Sequence, residues 1–326
     1  MRTRAATPTG TGTLALAVRL GLGLGLGLGL GACYSPNYES KQCKDKSGCP
    51  VDYYCVAGLC SRTPQTVVPD AATGNMQQPG EVKVDITAMP GFTIGSLTAE
   101  DMAFRTNDTP AHIRTLVRGF YLEEKEVTVA QYKKCVDAGA CKPADTGNTN
   151  CNYSKTDKTE HPINCVDYLR ATAYCQWLGK RLPTETEWEY AAKGPNTSAL
   201  YAFGSTWDMS KTCFNAGGTC PVGSKGIKTF QGKEVAATAD GFYDLSGNVY
   251  EWTQSEFCPY ANYMDEGLSC GSGKSVVRGG SAFDSNVRSQ TVTVRFGNLK
   301  TEVFDYTANA MTSGHYNLGI RCARDL

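Results

Sequence analysis

Histidine is scarce in this chain, 3 in 326 residues. His112, His161 and His315 lie too far apart for metal-ligand spacing, so each reads as an ordinary surface or core histidine. Net charge is absent as well: 32 Lys and Arg balance 32 Asp and Glu. The basic residues are scattered, which removes the electrostatic footprint of a nucleic-acid-binding protein. The apolar run from Leu20 to Ala32 is too short to span a bilayer, and its glycines weaken a helix. No phosphate-binding loop occurs, and the one Gly-x-Ser-x-Gly match, Gly267 to Gly271, follows Asp265 and Glu266 and not the apolar strand that a nucleophile elbow needs. The loop that looks most like a site, Gly279 to Ser289, crowds small, acidic and basic side chains behind two glycines and contains no cysteine.

Cysteine is abundant elsewhere, 15 residues alongside 35 glycines. That composition points to a loop-rich chain matured where disulfides persist, outside the reducing cytosol. The N-terminus agrees: Arg2, Arg4 and Arg19 precede the Leu-Gly run, the order of a secretory signal over residues 1–32. Leu30-Gly31-Ala32-Cys33 resembles the lipobox of bacterial lipoproteins, with Gly31 a less usual residue. The resemblance implies that Cys33 carries acyl chains and anchors the protein to a membrane. Without Cys33 the cysteines number fourteen, an even count, whereas a soluble secreted protein would leave it spare. Tyr34, in place of the Asp that retains many such lipoproteins at the inner membrane, favours the outer membrane. Residues 33–60 hold Cys43, Cys49, Cys55 and Cys60 among Gly, Pro and Asp. They read as a small module with two disulfides of open connectivity. A zinc site is the alternative, but no Cys-x-x-Cys pair supports it. Residues 61–82, polar and bearing Pro, read as a tether.

The remainder, 83–326, is expected to be an α+β domain with much coil. Three helices are predicted. Thr128 opens one with a capping box and places Val129, Tyr132 and Val136 on one face, closed by Gly139. Asp167 opens a second, with Ala171, Tyr174, Cys175 and Leu178 at helical spacing before Gly179. Thr184 and Glu187 form another capping box, and Gly194 stops that helix. Lys274 to Gly280 reads as a strand ending in a glycine turn.

Six blocks then carry a resemblance: MPGFTIGS (Met89 to Ser96), FYLEEKEVTVAQY (Phe120 to Tyr132), the stretch from His161 to Gly194 with GKRLPTETEWEYAA, GFYDLSGNVYEW (Gly241 to Trp252), VVRGGS (Val276 to Ser281) and LGIRCAR (Leu318 to Arg324). In this order they resemble the formylglycine-generating enzyme, or sulfatase-modifying factor, domain. The resemblance implies a coil-rich fold related to C-type lectins. Members that make formylglycine oxidise a cysteine of a sulfatase-type segment with two thiols that hold copper. By position Asp284 and Ser289 stand where those thiols would be. Copper(I) wants soft thiolates, and a carboxylate and a hydroxyl are hard donors, so copper is not expected. Ser281, Asp284, Arg288 and Ser289 remain the candidate pocket. Asp284 beside Arg288 reads as a proton acceptor or as half of an ion pair.

The same resemblance implies a calcium site from the carboxylates of Asp244 and Glu251 and the carbonyls of Gly247 and Val249, hard oxygens in a glycine-bearing turn. An Asp-initiated turn without metal is the alternative. Asn215 and Ala216 begin a second such site only weakly. Cys175 and Cys322 match a family disulfide, and Cys135 with Cys141 and Cys213 with Cys220 are short-loop candidates. Arg278, Arg288, Arg295 and Arg321 read as partners of local carboxylates before they read as an anion site. Together these readings favour a membrane-anchored, calcium-stabilised binding or structural module, its partner a protein, peptide or small molecule and not a nucleic acid. The alternative is an oxidoreductase of the same superfamily using another site or metal. Relatives without paired thiols occur in oxidative maturation of secondary metabolites and in thiol-histidine synthesis. Formylglycine formation itself would need thiols recruited from elsewhere.

Overall fold

The computed structural model describes residues 53–56, 59–62, 77–86, 91–96, 107–116, 118–194, 198–237, 239–261, 269–299 and 314–326. The leader, Cys33, Cys43, Cys49 and most of the tether lie outside them. So does the side chain of His315. Near the N-terminus two strands, β1 (Tyr53–Val56) and β2 (Leu59–Arg62), pair antiparallel and place Cys55 opposite Cys60 in register.

The large domain starts its pairing at Glu81, two residues inside the stretch read as tether. Strand β3 (Glu81–Val84) lies against β6 (Phe120–Glu123), with Val82 and Val84 buried. Strands β4 (Gly91–Ile94) and β5 (His112–Thr115) form a hairpin. Three α-helices follow β6, each where its cap predicts. Helix α1 (Val129–Asp137) carries the Thr128 and Gln131 capping box, and α2 (Tyr168–Trp177) starts from Asp167, whose side chain accepts the Arg170 N–H. In α3 (Glu185–Lys193) Thr184 and Glu187 bond reciprocally, satisfying amides that the first turn would otherwise leave open.

Most of the remaining chain is coil and short strands: β7 (Lys228–Phe230), β8 (Lys233–Val235), β9 (Tyr250–Glu256), β10 (Lys274–Arg278), β11 (Arg295–Leu299), β12 (Leu318–Gly319) and β13 (Ala323–Asp325). The largest sheet runs β11-β10-β9-β12, with β12 parallel to β9, and a second runs β13-β6-β3. One core gathers α1 and α2 around Trp252, whose indole N–H reaches the Val166 carbonyl at 3.0 Å. The other gathers β3, β4 and β6 around Trp188 of α3.

Coil of this extent packs little apolar surface per residue, and covalent ties compensate. All ten cysteines of the domain are paired: Cys135–Cys141, Cys151–Cys165, Cys175–Cys322, Cys213–Cys220 and Cys258–Cys270. The pair taken from the family resemblance, Cys175–Cys322, closes the longest loop, 147 residues apart, and joins α2 to the segment between β12 and β13.

Candidate functional site

Two glycine-bearing loops meet at the end of the main sheet. One, 244–248, leads into β9, and the other, 279–284, leaves β10. The Gly247 N–H donates to the Gly279 carbonyl at 2.7 Å, and the Ala282 N–H donates to the Asn248 carbonyl at 2.9 Å. Close approach demands glycine here. At Gly247, with φ +108°, an added Cβ would lie 2.1 Å from Thr212 Oγ1 and 2.8 Å from the Cys213 carbonyl. At Gly280, with φ +76°, it would lie 2.6 Å from the Ser289 carbonyl.

The four candidate pocket residues fall in two adjacent segments, Ser281 and Asp284 in the turn after β10 and Arg288 and Ser289 in the following 3-10 helix. Asp284 Oδ2 accepts the Ser281 N–H at 2.8 Å and the Gln290 side-chain N–H at 3.1 Å, so the carboxylate caps its own loop. Gln290, which sequence reasoning missed, also donates to the Ser281 carbonyl at 3.2 Å. Ser281 and Ser289 are buried, and Arg288 belongs to a 3-10 turn capped by the Asn286 side chain. The Phe283 ring meets Tyr316 edge to face at 4.9 Å. Ser281 Oγ accepts from the Phe283 N–H at 3.3 Å. That is a turn bond and not the nucleophile-to-base contact that acyl-transfer chemistry needs.

The arginines flanking this region are internal braces. Arg278 pairs with Glu189, and its Nη1 donates to the Thr293 carbonyl at 2.7 Å. Arg295 grips Glu185 with Nε at 2.6 Å and Nη2 at 3.0 Å, and Tyr260 adds its hydroxyl at 2.7 Å. Burial alone would raise the Glu185 carboxyl, but Arg295 and Arg278 outweigh it and hold it at about 2. These guanidiniums are buried and engaged, which removes them as an open anion site.

The carboxylates read as calcium ligands are each engaged within the fold. Glu251 is fully buried on β9 and bound by Arg321, with Nη2 at 2.7 Å and Nε at 2.9 Å, and by the Trp188 indole N–H at 2.6 Å. Asp244, in the left-handed region at φ 61°, accepts the Gly223 N–H at 2.6 Å. A third carboxylate, also missed from the sequence, joins them. Glu126 is buried and accepts the Asn248 side-chain N–H at 2.5 Å and the Val249 N–H at 3.1 Å. Burial first, then Asp244 and Glu251, push the Glu126 carboxyl well above the usual range, against the pull of Arg321. Burial likewise raises Asp244. Three carboxylates thus share one buried guanidinium, and the excess negative charge is of the kind a divalent cation relieves. Among the described residues, the trio of His, Cys, Asp or Glu with ligand atoms all within 4.8 Å of one another is Glu256, Cys258 and Cys270, and its sulfurs are joined as a disulfide. A cation at residues 244–251 therefore depends on backbone carbonyls as well as carboxylates. Asn215 and Ala216, the weak second site, lie on an exposed turn whose Ala216 N–H bonds the Ala282 carbonyl at 3.0 Å.

Two histidines are accounted for locally. His112 Nδ1 lies 2.9 Å from the Pro110 carbonyl and its Nε2 accepts from Arg114, while His161 Nδ1 lies 2.9 Å from Thr219 Oγ1.

The model of the sulfatase-modifying factor enzyme 1-like domain matches residues 72–326. The chain belongs to this family. Its relatives include inactive C-alpha-formylglycine-generating enzyme 2 of Bos taurus, 35% identical over 177 residues that make 51% of this chain and 51% of that protein. The formylglycine-generating enzyme of Mycobacterium tuberculosis is 38% identical over 125 residues, 35% of this chain and 40% of that enzyme. The chain thus spans about half, or less, of the length of these curated relatives. Among solved structures, PvdO from Pseudomonas aeruginosa superposes with a TM-score of 0.58 and 22% identity, covering 77% of this chain and all of that one. The fold is accordingly the coil-rich α+β, lectin-related fold of the family, in which named enzymes and named inactive forms both occur.

Proposed function

We propose that this protein is a binding or structural module of the sulfatase-modifying factor family, held at a membrane by an acylated Cys33 and braced by calcium. One observation carries the reading. The loop that presents paired thiols in formylglycine-forming members holds Asp284 and Ser289 here, and all ten cysteines of the domain are tied in disulfides. The site offers hard oxygen donors, which suit calcium and not copper(I). Asp284 is committed to capping its own turn, and the described histidines are committed to local partners, which weighs against an oxidase built on other residues.

Calcium would be held by the carboxylates of Asp244 and Glu251 and the carbonyls of Gly247 and Val249, with Glu126 as a further carboxylate beside them and Arg321 balancing Glu251. When bound, the ion neutralises charge that the fold otherwise buries. Bound-metal analysis of the undialysed protein should find calcium and no stoichiometric copper or iron. Calcium at a hundredfold excess over its dissociation constant should then stabilise the fold by about 2.7 kcal/mol relative to a chelator-treated sample. Stoichiometric copper would overturn the reading. A Glu126→Gln variant should lose most of the calcium-dependent shift.

A further inference from the structure

Two of the five domain disulfides include a partly exposed cysteine, Cys220 in one and Cys270 in the other, whereas the remaining three join buried residues. Of the two accessible bridges, Cys213–Cys220 is built into the candidate site. It closes a ring between residues seven apart, and that ring holds Asn248 from both ends. The Cys213 carbonyl accepts the Asn248 backbone N–H at 2.9 Å, and the Cys220 N–H donates to Asn248 Oδ1 at 3.0 Å. Asn248 sits at φ 62°, a left-handed conformation that a non-glycine residue keeps only when its surroundings enforce it.

The consequences pass through that one residue, by its side chain and its backbone carbonyl. Asn248 Nδ2 donates to Glu126, its carbonyl accepts the Ala282 N–H, and the ring tip returns to Ala282 through the Ala216 N–H. One covalent ring therefore fixes the cation loop, the buried carboxylate beside it and the Gly-Gly-Ser loop.

We propose that the Cys213–Cys220 disulfide is a redox latch on this site: a dithiol reductant that opens it frees Asn248 and lowers the affinity of residues 244–251 for calcium. The calcium arm rests on the function proposed above. In the exchange, a reductant thiolate attacks the sulfur of Cys220, the partly exposed residue of the pair, forms a mixed disulfide and displaces Cys213 as a thiolate. The second reductant thiol resolves the mixed disulfide. Two electrons and two protons pass to the ring cysteines, leaving two thiols here and one disulfide on the reductant. Without the ring, the loop recovers conformational freedom that calcium must remove on binding.

The test compares the full chain with a Cys213→Ser/Cys220→Ser variant by calcium titration and by amide hydrogen exchange. Calcium affinity should fall about tenfold or more, as expected when a site must be reordered on binding. Exchange should quicken at residues 244–249 and 281–284 while α1 is unchanged. A matching Cys258→Ser/Cys270→Ser variant should leave both readouts unchanged. If the first variant fails to fold, wild-type protein is titrated with a dithiol, the opened bridge is mapped by alkylation, and exchange is read at that point. Unchanged exchange with the bridge open overturns the latch, whatever calcium does. Equal calcium affinity in the two proteins overturns its control of the cation. An intact chain that binds no calcium, yet loosens at residues 244–249 when the bridge opens, defeats the calcium reading and keeps the latch on the loops.

Discussion

Arg321 shows how much one side chain carries in this domain. Its guanidinium answers Glu251 and also donates to the Glu123 and Tyr243 carbonyls at 2.9 and 2.8 Å, tying β9, the end of β6 and the residue ahead of the 244–248 loop to the C-terminal segment. Removing the cation while leaving Glu251 buried should cost about 3–5 kcal/mol, the usual penalty for breaking a buried pair from one side. Urea unfolding of Arg321→Met is the measurement. A loss under 1 kcal/mol would mean that Glu251 is neutralised by something else, the proposed calcium being the first alternative. Little of this pairing is legible in one sequence. Asp244 and Glu251 stand out because they sit in a recognisable block. Glu126 lies in the block Phe120 to Tyr132, but nothing in the run Glu123-Glu124-Lys125-Glu126 singles it out, and only the fold shows that Glu126 is buried while Lys125 is exposed. Gln290 lies outside the six blocks, and Asn248, though inside one, shows no role there, because an amide acquires its role from the groups placed around it.

At the scale of elements, α3 breaks the ordinary pattern of an apolar inner face. Glu185, Glu189 and Lys193 are all buried alongside Trp188, and they meet Arg278 of β10 and Arg295 of β11. The caps that start and stop the helix were readable from Thr184, Glu187 and Gly194, since capping depends on local bonds. The charged inner face was not, since nothing local separates an inward glutamate from an outward one. This face has a pH signature. Glu185 is held at about 2 against an ordinary value of 4.5, so its contribution is complete above the ordinary value and is lost as pH falls toward 2. Its size is on the order of 3 kcal/mol. Glu126 and Asp244, raised by burial, act in the opposite sense, so the comparison must be made against a variant. The stability difference between wild type and Glu185→Gln should be constant above about pH 5 and shrink steadily below pH 4.5. A difference independent of pH down to 2 would show that Glu185 is not ionised in the fold.

At the scale of the whole molecule, the question is what presents this domain and where. Among the described residues no helix is long and apolar enough to cross a membrane. Among the described residues the exposed large apolar side chains are Ile113, Leu169, Met209 and Leu326, each from a different part of the chain. The attachment proposed above is through the segment before the domain, where Leu30-Gly31-Ala32-Cys33 supplies the one lipidation signal read from the sequence. A single acyl chain binds a bilayer only reversibly, while two or more hold it, so the number of chains on Cys33 decides between a transient and a permanent surface protein. In a bacterial host the wild-type chain should therefore sediment with the membrane fraction and carry a mass increment on its new N-terminal cysteine. Cys33→Ser should move the protein to the soluble fraction while leaving its calcium-dependent stability unchanged, because the proposed lipid and cation sites lie on either side of the stretch read as a tether. Retention of Cys33→Ser on membranes would move the anchor elsewhere in the chain. Loss of calcium-dependent stability in the same variant would mean instead that the N-terminal segment packs on the domain and shares its fold.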